Sequence, residues 1–260
     1  MPELKIGVDL AGLRQPLKKA LHTAARLGAG AVEIDARGEI SPQQFSQTAL
    51  RQLRKMLEDL GLQVSAVRFH TRRGYDTPEA LEPRIAATKA AMQLAYALGA
   101  RVVVNHLGRL AADQDSPHRR LLVEVLEDLG RHGQRVGALL AAETGSESGP
   151  QLAGLLAQLP HGAIGADLNP GNLLLNGFSP AEAVDALGPS ILHVHATDAV
   201  RDPAGAAARP VALGLGAADF PALLGALEGG GYRGYYTIRP AGAADPETEI
   251  ADAIDYLRRL

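Results

Sequence analysis

Three residues of this 260-residue chain have the chemical type and the setting to hold a divalent cation. Glu143 closes Leu139-Leu140-Ala141-Ala142-Glu143, Asp167 closes Ile164-Gly165-Ala166-Asp167, and His195 closes Ile191-Leu192-His193-Val194-His195. Each follows a short apolar run that reads as a buried strand. Carboxylate oxygens and an imidazole nitrogen suit Mn²⁺, Mg²⁺, Co²⁺ or Zn²⁺. Such an ion can hold neighbouring carbonyl and hydroxyl oxygens of a sugar and stabilise an enediolate while carboxylates move the proton. Taken singly, each residue could be a strand-end polar group bonded to nearby backbone; taken together, the three favour a metal site. A fourth strand should complete the ligand set, but Tyr235-Tyr236-Thr237-Ile238 is followed by Arg239. A guanidinium cannot ligate a cation and stays protonated at any working pH.

The elements that must position these groups alternate along the whole chain. Candidate strands are Lys5–Leu10, Ala31–Asp35, Gln63–Phe69, Arg101–His106, Ala138–Glu143, Ile164–Asp167, Ile191–His195 and Tyr235–Ile238. Helical patterns fill the gaps, among them Leu17–Leu27, Ser41–Leu60, Thr77–Leu98, Pro117–Arg131, Pro150–Leu159, Pro180–Leu187, Phe220–Glu228 and Pro246–Leu260. Proline opens several and glycine closes several, the framing that helix ends favour. Eight strand–helix units in one direction predict one closed (β/α)8 barrel over residues 1–260. An open doubly wound sheet would need a glycine-rich phosphate loop after an early strand, and Asp9-Leu10-Ala11-Gly12-Leu13-Arg14 does not match it.

In such a barrel the functional face lies at the C-terminal strand ends. Glu33, Asp35, Arg68, His70, Asn105, His106, Asn169 and His193 are expected there beside the three ligand candidates and Arg239. His70 and His106 are candidates for binding substrate hydroxyls. Glu33 could bond substrate or neighbouring backbone, with the structural role slightly favoured. His193 reads as a hydrogen-bonded core histidine. Arg68, Arg72 and Arg73 could receive a phosphate or carboxylate, although a solvated basic loop is the commoner reading of such a run.

Composition narrows the partners. The net charge of −3 offers no basic footprint for nucleic acid. There is no cysteine, which excludes disulfides and thiolate metal sites. No run is long and apolar enough for a membrane span, and the first residues lack the pattern of a signal peptide, so a cytoplasmic protein with a small-molecule substrate is expected. Assembly into a homo-oligomer stays open.

Several segments, taken in order, resemble the xylose isomerase-like barrel family of sugar-phosphate isomerases and epimerases. They are Leu140-Ala141-Ala142-Glu143-Thr144-Gly145, Asp167-Leu168-Asn169-Pro170-Gly171-Asn172, His193-Val194-His195-Ala196-Thr197-Asp198, Leu213-Gly214-Leu215-Gly216-Ala217-Ala218-Asp219-Phe220 and Gly231-Tyr232-Arg233-Gly234-Tyr235-Tyr236-Thr237-Ile238. The resemblance implies metal ligands at Glu143, Asp167 and His195, with Glu143 also transferring a proton. It implies a substrate-binding arginine at Arg201. The family's strand-8 glutamate, a ligand and the second proton-transferring carboxylate, falls on Arg239, and a substrate-binding histidine of its ketose epimerases falls on Pro170. These departures predict either a guanidinium in place of the ion, or a weaker three-ligand site with Arg239 turned outward. Isomerisation or epimerisation of a small sugar is the expected activity. Dehydratase or lyase chemistry on a cyclic polyol or keto acid, and a metal-free degenerate barrel that binds a small polar ligand without reaction, are the alternatives. Endonuclease IV-like repair enzymes share the barrel, but the extra ligands of their multi-zinc cluster are missing around Pro170 and Arg201-Asp202.

Overall fold

A computed structural model describes residues 4–42, 46–111, 113, 115–200 and 208–260. The barrel strands are β1 Ile6–Asp9, β2 Ala31–Asp35, β3 Gln63–Arg68, β4 Val102–Asn105, β5 Leu139–Glu143, β6 Ile164–Leu168, β7 Ile191–Ala196 and, after two short strands, β10 Tyr236–Ile238. They pair in parallel and close in the order β1-β10-β7-β6-β5-β4-β3-β2. The expected (β/α)8 barrel is therefore the observed architecture. The short strands β8 Asp198–Val200 and β9 Arg209–Val211 form an antiparallel pair after β7 that the apolar pattern did not announce. The helices are α1 Leu17–Arg26, α2 Gln47–Asp59, α3 Leu81–Ala97, α4 Pro117–Val136, α5 Gly149–Leu156, α6 Pro170–Leu175, α7 Pro180–Leu187, α8 Phe220–Gly229 and α9 Pro246–Arg258. No helix among the described residues is long and apolar enough to cross a membrane.

Local signals explain where helices begin. Ser116, Ser148, Ser179 and Asp219 each accept a hydrogen bond from the backbone of the first turn that follows, with proline at the start of each helix. Two starts come later than the pattern suggested. Ser46 caps α2, so the helix does not open at Ser41-Pro42, and α3 opens after Ala80, which sits at φ 50 without a side-chain cap.

Alternation along each strand divides its residues between two environments. Outward residues such as Val8, Val32, Val103, Leu140, Val194 and Ile238 join one continuous core beneath the helices. Ala66, Val102, Val104 and Ala141, with Leu192 against them, form a separate small cluster inside the barrel. A polar layer accompanies it. The Thr237 hydroxyl lies 3.0 Å from the Ser65 hydroxyl and 2.8 Å from His193 Nε2. Gly7 makes room for this layer, because a Cβ there would stand 3.0 Å from Thr237 Oγ1. The bonded chain Ser65–Thr237–His193 then leads up to Asp167, whose Oδ1 takes His193 Nδ1 at 2.8 Å.

Behind the mouth, Asp198 organises the glycine-rich turn before α8. Its carboxylate accepts from the backbone N–H groups of Ala199, Gly214, Gly216 and Ala218. A Cβ at Gly216 would meet Asp198 Oδ1 at 2.1 Å, so the close wrap requires glycine there. Gly214 and Gly216 thus form a structural turn around Asp198.

Thr237→Val keeps the shape of the inner layer and removes its central hydroxyl. It leaves Ser65 Oγ and His193 Nε2 buried without their partner, at a cost of roughly 1–3 kcal/mol for each group. Urea denaturation is expected to show that loss for Thr237→Val and little for Thr237→Ser; equal losses in both variants would contradict the role given to the hydroxyl.

Candidate functional site

The upper layer of the barrel interior is charged. Asp9 ends β1, Glu33 lies in β2, Arg68 ends β3, Glu143 ends β5, Asp167 lies in β6, His195 lies in β7, and Arg239 follows β10. Asp9, Glu33, Glu143, Asp167 and His195 are all buried. Four carboxylates this close can stay ionised only if cations stand among them.

Arg239 is the centre of that arrangement. Its Nε donates to Asp9 Oδ2 at 3.1 Å, Nη1 to Glu143 Oε1 at 2.8 Å and Nη2 to Glu33 Oε1 at 3.2 Å. The side chain is 20% exposed, so one edge still reaches the barrel mouth. Burial opposes its charge, but Glu143, Glu33, Asp9 and Asp167 outweigh that and hold its pKa well above the ordinary arginine value. Of the two orientations expected for Arg239, the inward one is observed.

His195 lies between two carboxylates, with Nδ1 2.6 Å from Asp167 Oδ2 and Nε2 2.8 Å from Glu33 Oε2. Burial and Arg239 disfavour the imidazolium, yet Asp167 and Glu33 raise its pKa to about 10. Arg239 Nη2 stands 2.8 Å from the same Nε2, so this nitrogen faces both the guanidinium and Glu33. Glu33 is itself held well below the carboxylate range: burial works against that, but His195, then Arg239 and His193, favour the anion.

Glu143 is oriented by amides. Asn169 Nδ2 and Asn172 Nδ2 donate to its Oε1 at 2.8 and 3.3 Å. Asn169 is fixed in turn: its N–H donates to Thr144 Oγ1 at 2.8 Å, and its Oδ1 accepts from the Thr197 hydroxyl at 2.6 Å and the Asn172 N–H at 3.0 Å. With Oε1 so occupied, Oε2 is the free oxygen, and His70 Nε2 stands 2.7 Å from it at an angle that misses hydrogen-bond geometry. Burial would raise the Glu143 pKa, but Arg239, His70 and His195 hold it well below the ordinary value. His70 is 37% exposed and forms the solvent side of the pair.

The remaining candidates fall into place around this centre. His106 sits edge-on to His70, with ring centroids 5.9 Å apart, and its Nε2 is bonded to the Thr71 carbonyl. The solvated-loop reading of Arg68 is corrected: its side chain is 14% exposed and pairs with Asp9 at 3.0 Å and Asp35 at 3.2 Å. Arg68 therefore belongs to the charged cluster, whereas Arg72 and Arg73 are exposed. Arg201 lies outside the described residues. Asp9 escaped the sequence reading, although it ends an apolar strand by the same signal that singled out Glu143 and Asp167. A cavity of about 210 Å³ borders Arg239, with Asn169, Asn172, Thr197 and Pro240 in its lining.

Glu143, Asp167 and His195 offer ligand atoms within 4.8 Å of one another, as do Glu33, His193 and His195, so these groups could hold a metal. As they stand, most of these atoms are already engaged. Glu143 Oε1 takes three N–H donors, both Asp167 oxygens take imidazole N–H groups, and a guanidinium touches Glu143 and His195. A dication could join the first group only if Arg239 left. The donor types fit a metal; the arrangement with Arg239 inside does not.

A family model described as xylose isomerase-like TIM barrel matches residues 21–260. No curated protein matches the sequence. Among solved structures, a xylose isomerase domain protein from Planctomyces limnophilus is 26% identical, with a TM-score of 0.86 over 98% of this chain and 96% of that one. A xylose isomerase-like TIM barrel protein from Mycobacterium smegmatis, in complex with magnesium, is 21% identical with a TM-score of 0.79 over 98% and 96%. D-allulose 3-epimerase from Methylomonas sp., in complex with D-allulose, is 16% identical with a TM-score of 0.77 over 99% and 97%.

Two outcomes follow from the electrostatics. Arg239→Met strips the shared cation from Asp9, Glu33 and Glu143 and is expected to cost about 3–5 kcal/mol of folding stability in urea titrations; a loss below about 1 kcal/mol would show that the carboxylates do not depend on it. Separately, Glu147, buried in the turn after Glu143, has its pKa raised by burial from 4.5 to about 7. The unfolded chain then ionises first, so stability falls as pH rises from 4.5 through 7. Glu147→Gln removes that dependence and should exceed the parent by on the order of 3 kcal/mol at pH 8, with no gain below pH 4.5. A difference that does not change with pH would refute the assignment.

Proposed function

The chain belongs to the xylose isomerase-like TIM barrel family, and we propose that it moves a proton between neighbouring carbons of a small hydroxy-carbonyl compound, with Arg239 in the place of a divalent ion. The observation that carries this reading is the guanidinium bonded to Glu143 at 2.8 Å, inside the group of candidate metal ligands. The substrate class is a sugar, a polyol-derived ketone or a keto acid. Isomerase or epimerase chemistry is the activity this supports best, and the D-allulose 3-epimerase that shares the fold supports the same class.

In the proposed reaction the substrate's carbonyl end enters beside Arg239 and His70. Glu143 Oε2 removes the proton from the carbon next to the carbonyl; the C–H pair becomes the enediolate double bond, and the carbonyl pair moves onto oxygen. Negative charge thereby leaves Glu143 and appears on the substrate oxygen. Arg239 Nη1 loses an ionised partner at the moment that oxygen needs a donor, so one guanidinium serves both states. Glu143 then returns the proton, from the same side, to the carbon that carried the carbonyl, while the hydroxyl proton of the first carbon passes to the enolate oxygen; the carbonyl moves to the first carbon and isomerisation is complete. His70, beside Glu143 Oε2 and partly exposed, is placed to carry the proton between Glu143 and a substrate oxygen. Its Nε2 has no hydrogen-bond partner among the described residues.

A second reading has an observation in its favour: the ligand atoms of Glu143, Asp167 and His195 are already gathered within 4.8 Å. There Arg239 would turn out to the mouth and those three residues would hold an ion, whose chemistry is to polarise the substrate oxygens.

Incubation with a panel of ketoses and hydroxy-keto acids in D₂O, with and without EDTA, separates the readings. Deuterium entering the carbon next to the carbonyl is expected to persist in EDTA and to fall on the order of 10²–10⁴-fold in Glu143→Gln. Exchange abolished by EDTA, together with about one divalent ion per chain by elemental analysis, would replace the arginine reading with the metal reading. Exchange that is unchanged in Glu143→Gln would sink both.

A further inference from the structure

Beside the barrel mouth, on the far side of the β3 end from Glu143, a cavity of about 600 Å³ opens between the β2–α2 and β3–α3 connections. Arg37, Arg72, Arg73 and Arg84 line it, and among its described lining residues Glu79 is the one carboxylate. We propose that this cavity binds a phosphoryl group, and that it receives the phosphate end of a substrate whose carbonyl end reaches Glu143 and Arg239. The second half of this inference rests on the function proposed above; the first does not.

Two of the arginines are held by backbone carbonyls with N–H groups left over for an anion. Arg37 Nη1 donates to the His70 carbonyl at 2.9 Å, and its guanidinium lies 5.9 Å from the centre of the Phe69 ring. Arg84 donates to the carbonyls of Gly74 and Glu79 at 2.6 Å and of Thr77 at 3.2 Å. Bonds to neutral carbonyls orient a guanidinium without neutralising it, and each keeps further N–H groups for a ligand. Arg72 has no hydrogen bond or ion pair with any described residue, while Arg73 pairs with Glu79. Four guanidiniums therefore face one carboxylate, in a protein whose net charge is −3. A local excess of positive charge set against the overall sign, in a concave site where Arg37 and Arg84 are held by backbone carbonyls, suits a compact polyanion. The planar fork of arginine matches the oxygens of a phosphoryl group bidentately. Small apolar faces of Phe69, Pro83 and Ala87 complete the lining and leave room for a short carbon chain.

The link to the barrel mouth is His70. Its carbonyl accepts from Arg37, and its ring stands 2.7 Å from Glu143 Oε2. Its neighbours Phe69 and Thr71 line the arginine cavity. One residue thus separates the two sites, and the substrate proposed to touch both is a phosphorylated hydroxy-ketone of a few carbons.

The test uses the full chain with inorganic phosphate as probe, at constant ionic strength, by calorimetric titration. Saturable binding of about one phosphate per chain is expected, weakened roughly tenfold to hundredfold in Arg72→Ala and in Arg37→Ala, as loss of one charged hydrogen-bond partner would give. Glu143→Gln should bind phosphate as the parent does. No binding, or binding that neither arginine variant alters, overturns the site. In the exchange assay, phosphorylated ketoses should show a lower KM than their unphosphorylated counterparts, and Arg72→Ala should erase that difference while leaving kcat in place. Equal KM values would overturn the substrate link although phosphate still binds. Phosphate binding with no exchange on any ketose would leave the cavity standing and remove the proton-transfer reading instead.

Discussion

Everything at the mouth of this barrel depends on one guanidinium placed among buried carboxylates. Asp9, Glu33 and Glu143 come from three different strands, and each bonds Arg239. Without a shared cation, three anions in a low-dielectric interior would repel one another and lose their hydration. The arginine therefore ties β1, β2, β5 and β10 together at their ends. Arg68 and His195 extend the same alternation of sign, the first to Asp35 and the second to Asp167. A network this connected is rigid when complete and costly when a member is removed.

The layer below explains why the network can hold one geometry. Asp167 receives His193 and His195 on its two oxygens, and His193 is anchored beneath by Thr237 and Ser65. Each donor is matched to an acceptor from a different strand. The barrel thus passes orientation upward from neutral hydroxyls to an imidazole, then to the carboxylates of the mouth. Gly7 and the small cluster of Ala66 and Ala141 keep the interior narrow enough for these bonds to form. On the other side of Glu143, Thr144, Thr197 and Asn172 hold Asn169 so that its amide can face only one way.

Much of this was legible in the sequence, and the exceptions have physical causes. Glu143, Asp167 and His195 stood out because each ends an apolar run, and strand ends of a parallel barrel converge on one face. Asp9 carries the same mark but sits in a first turn, where aspartate is a common turn former, and its charge was not read as part of a site. Arg68 was taken with Arg72 and Arg73 as one basic stretch. Along β3 the first of these is the last strand residue and points inward, while the other two lie beyond it, so neighbours in sequence separate into buried and exposed. The inward turn of Arg239 was one of two open alternatives, since sequence alone does not say whether a long side chain finds its carboxylates or water. The hairpin of β8 and β9 was invisible because three-residue strands carry no usable period. Where α2 and α3 start was missed because Ser46 and Ala80, rather than the prolines upstream, mark the turn.

An arginine in the place proposed for an ion would change what the site can do. An ion binds substrate oxygens by exchanging ligands on all sides, and its charge is confined to a point. A guanidinium is tethered, planar and directional, so it must be held from behind to present a free edge. Asp9 and Glu33 do that here, bonding Nε and Nη2, while Nη1 faces Glu143 at the mouth. In the proposed reaction only the Nη1 bond has to change when charge passes from Glu143 to a substrate oxygen; the other two stay. Donors already aimed at the place where charge develops need no reorganisation during the reaction, which is the physical basis of electrostatic catalysis. His195 cannot substitute in this role, because both of its nitrogens are spent on Asp167 and Glu33. Among the described residues, Arg239 is the cation that bonds Glu143 and also borders the cavity beside Asn169 and Thr197.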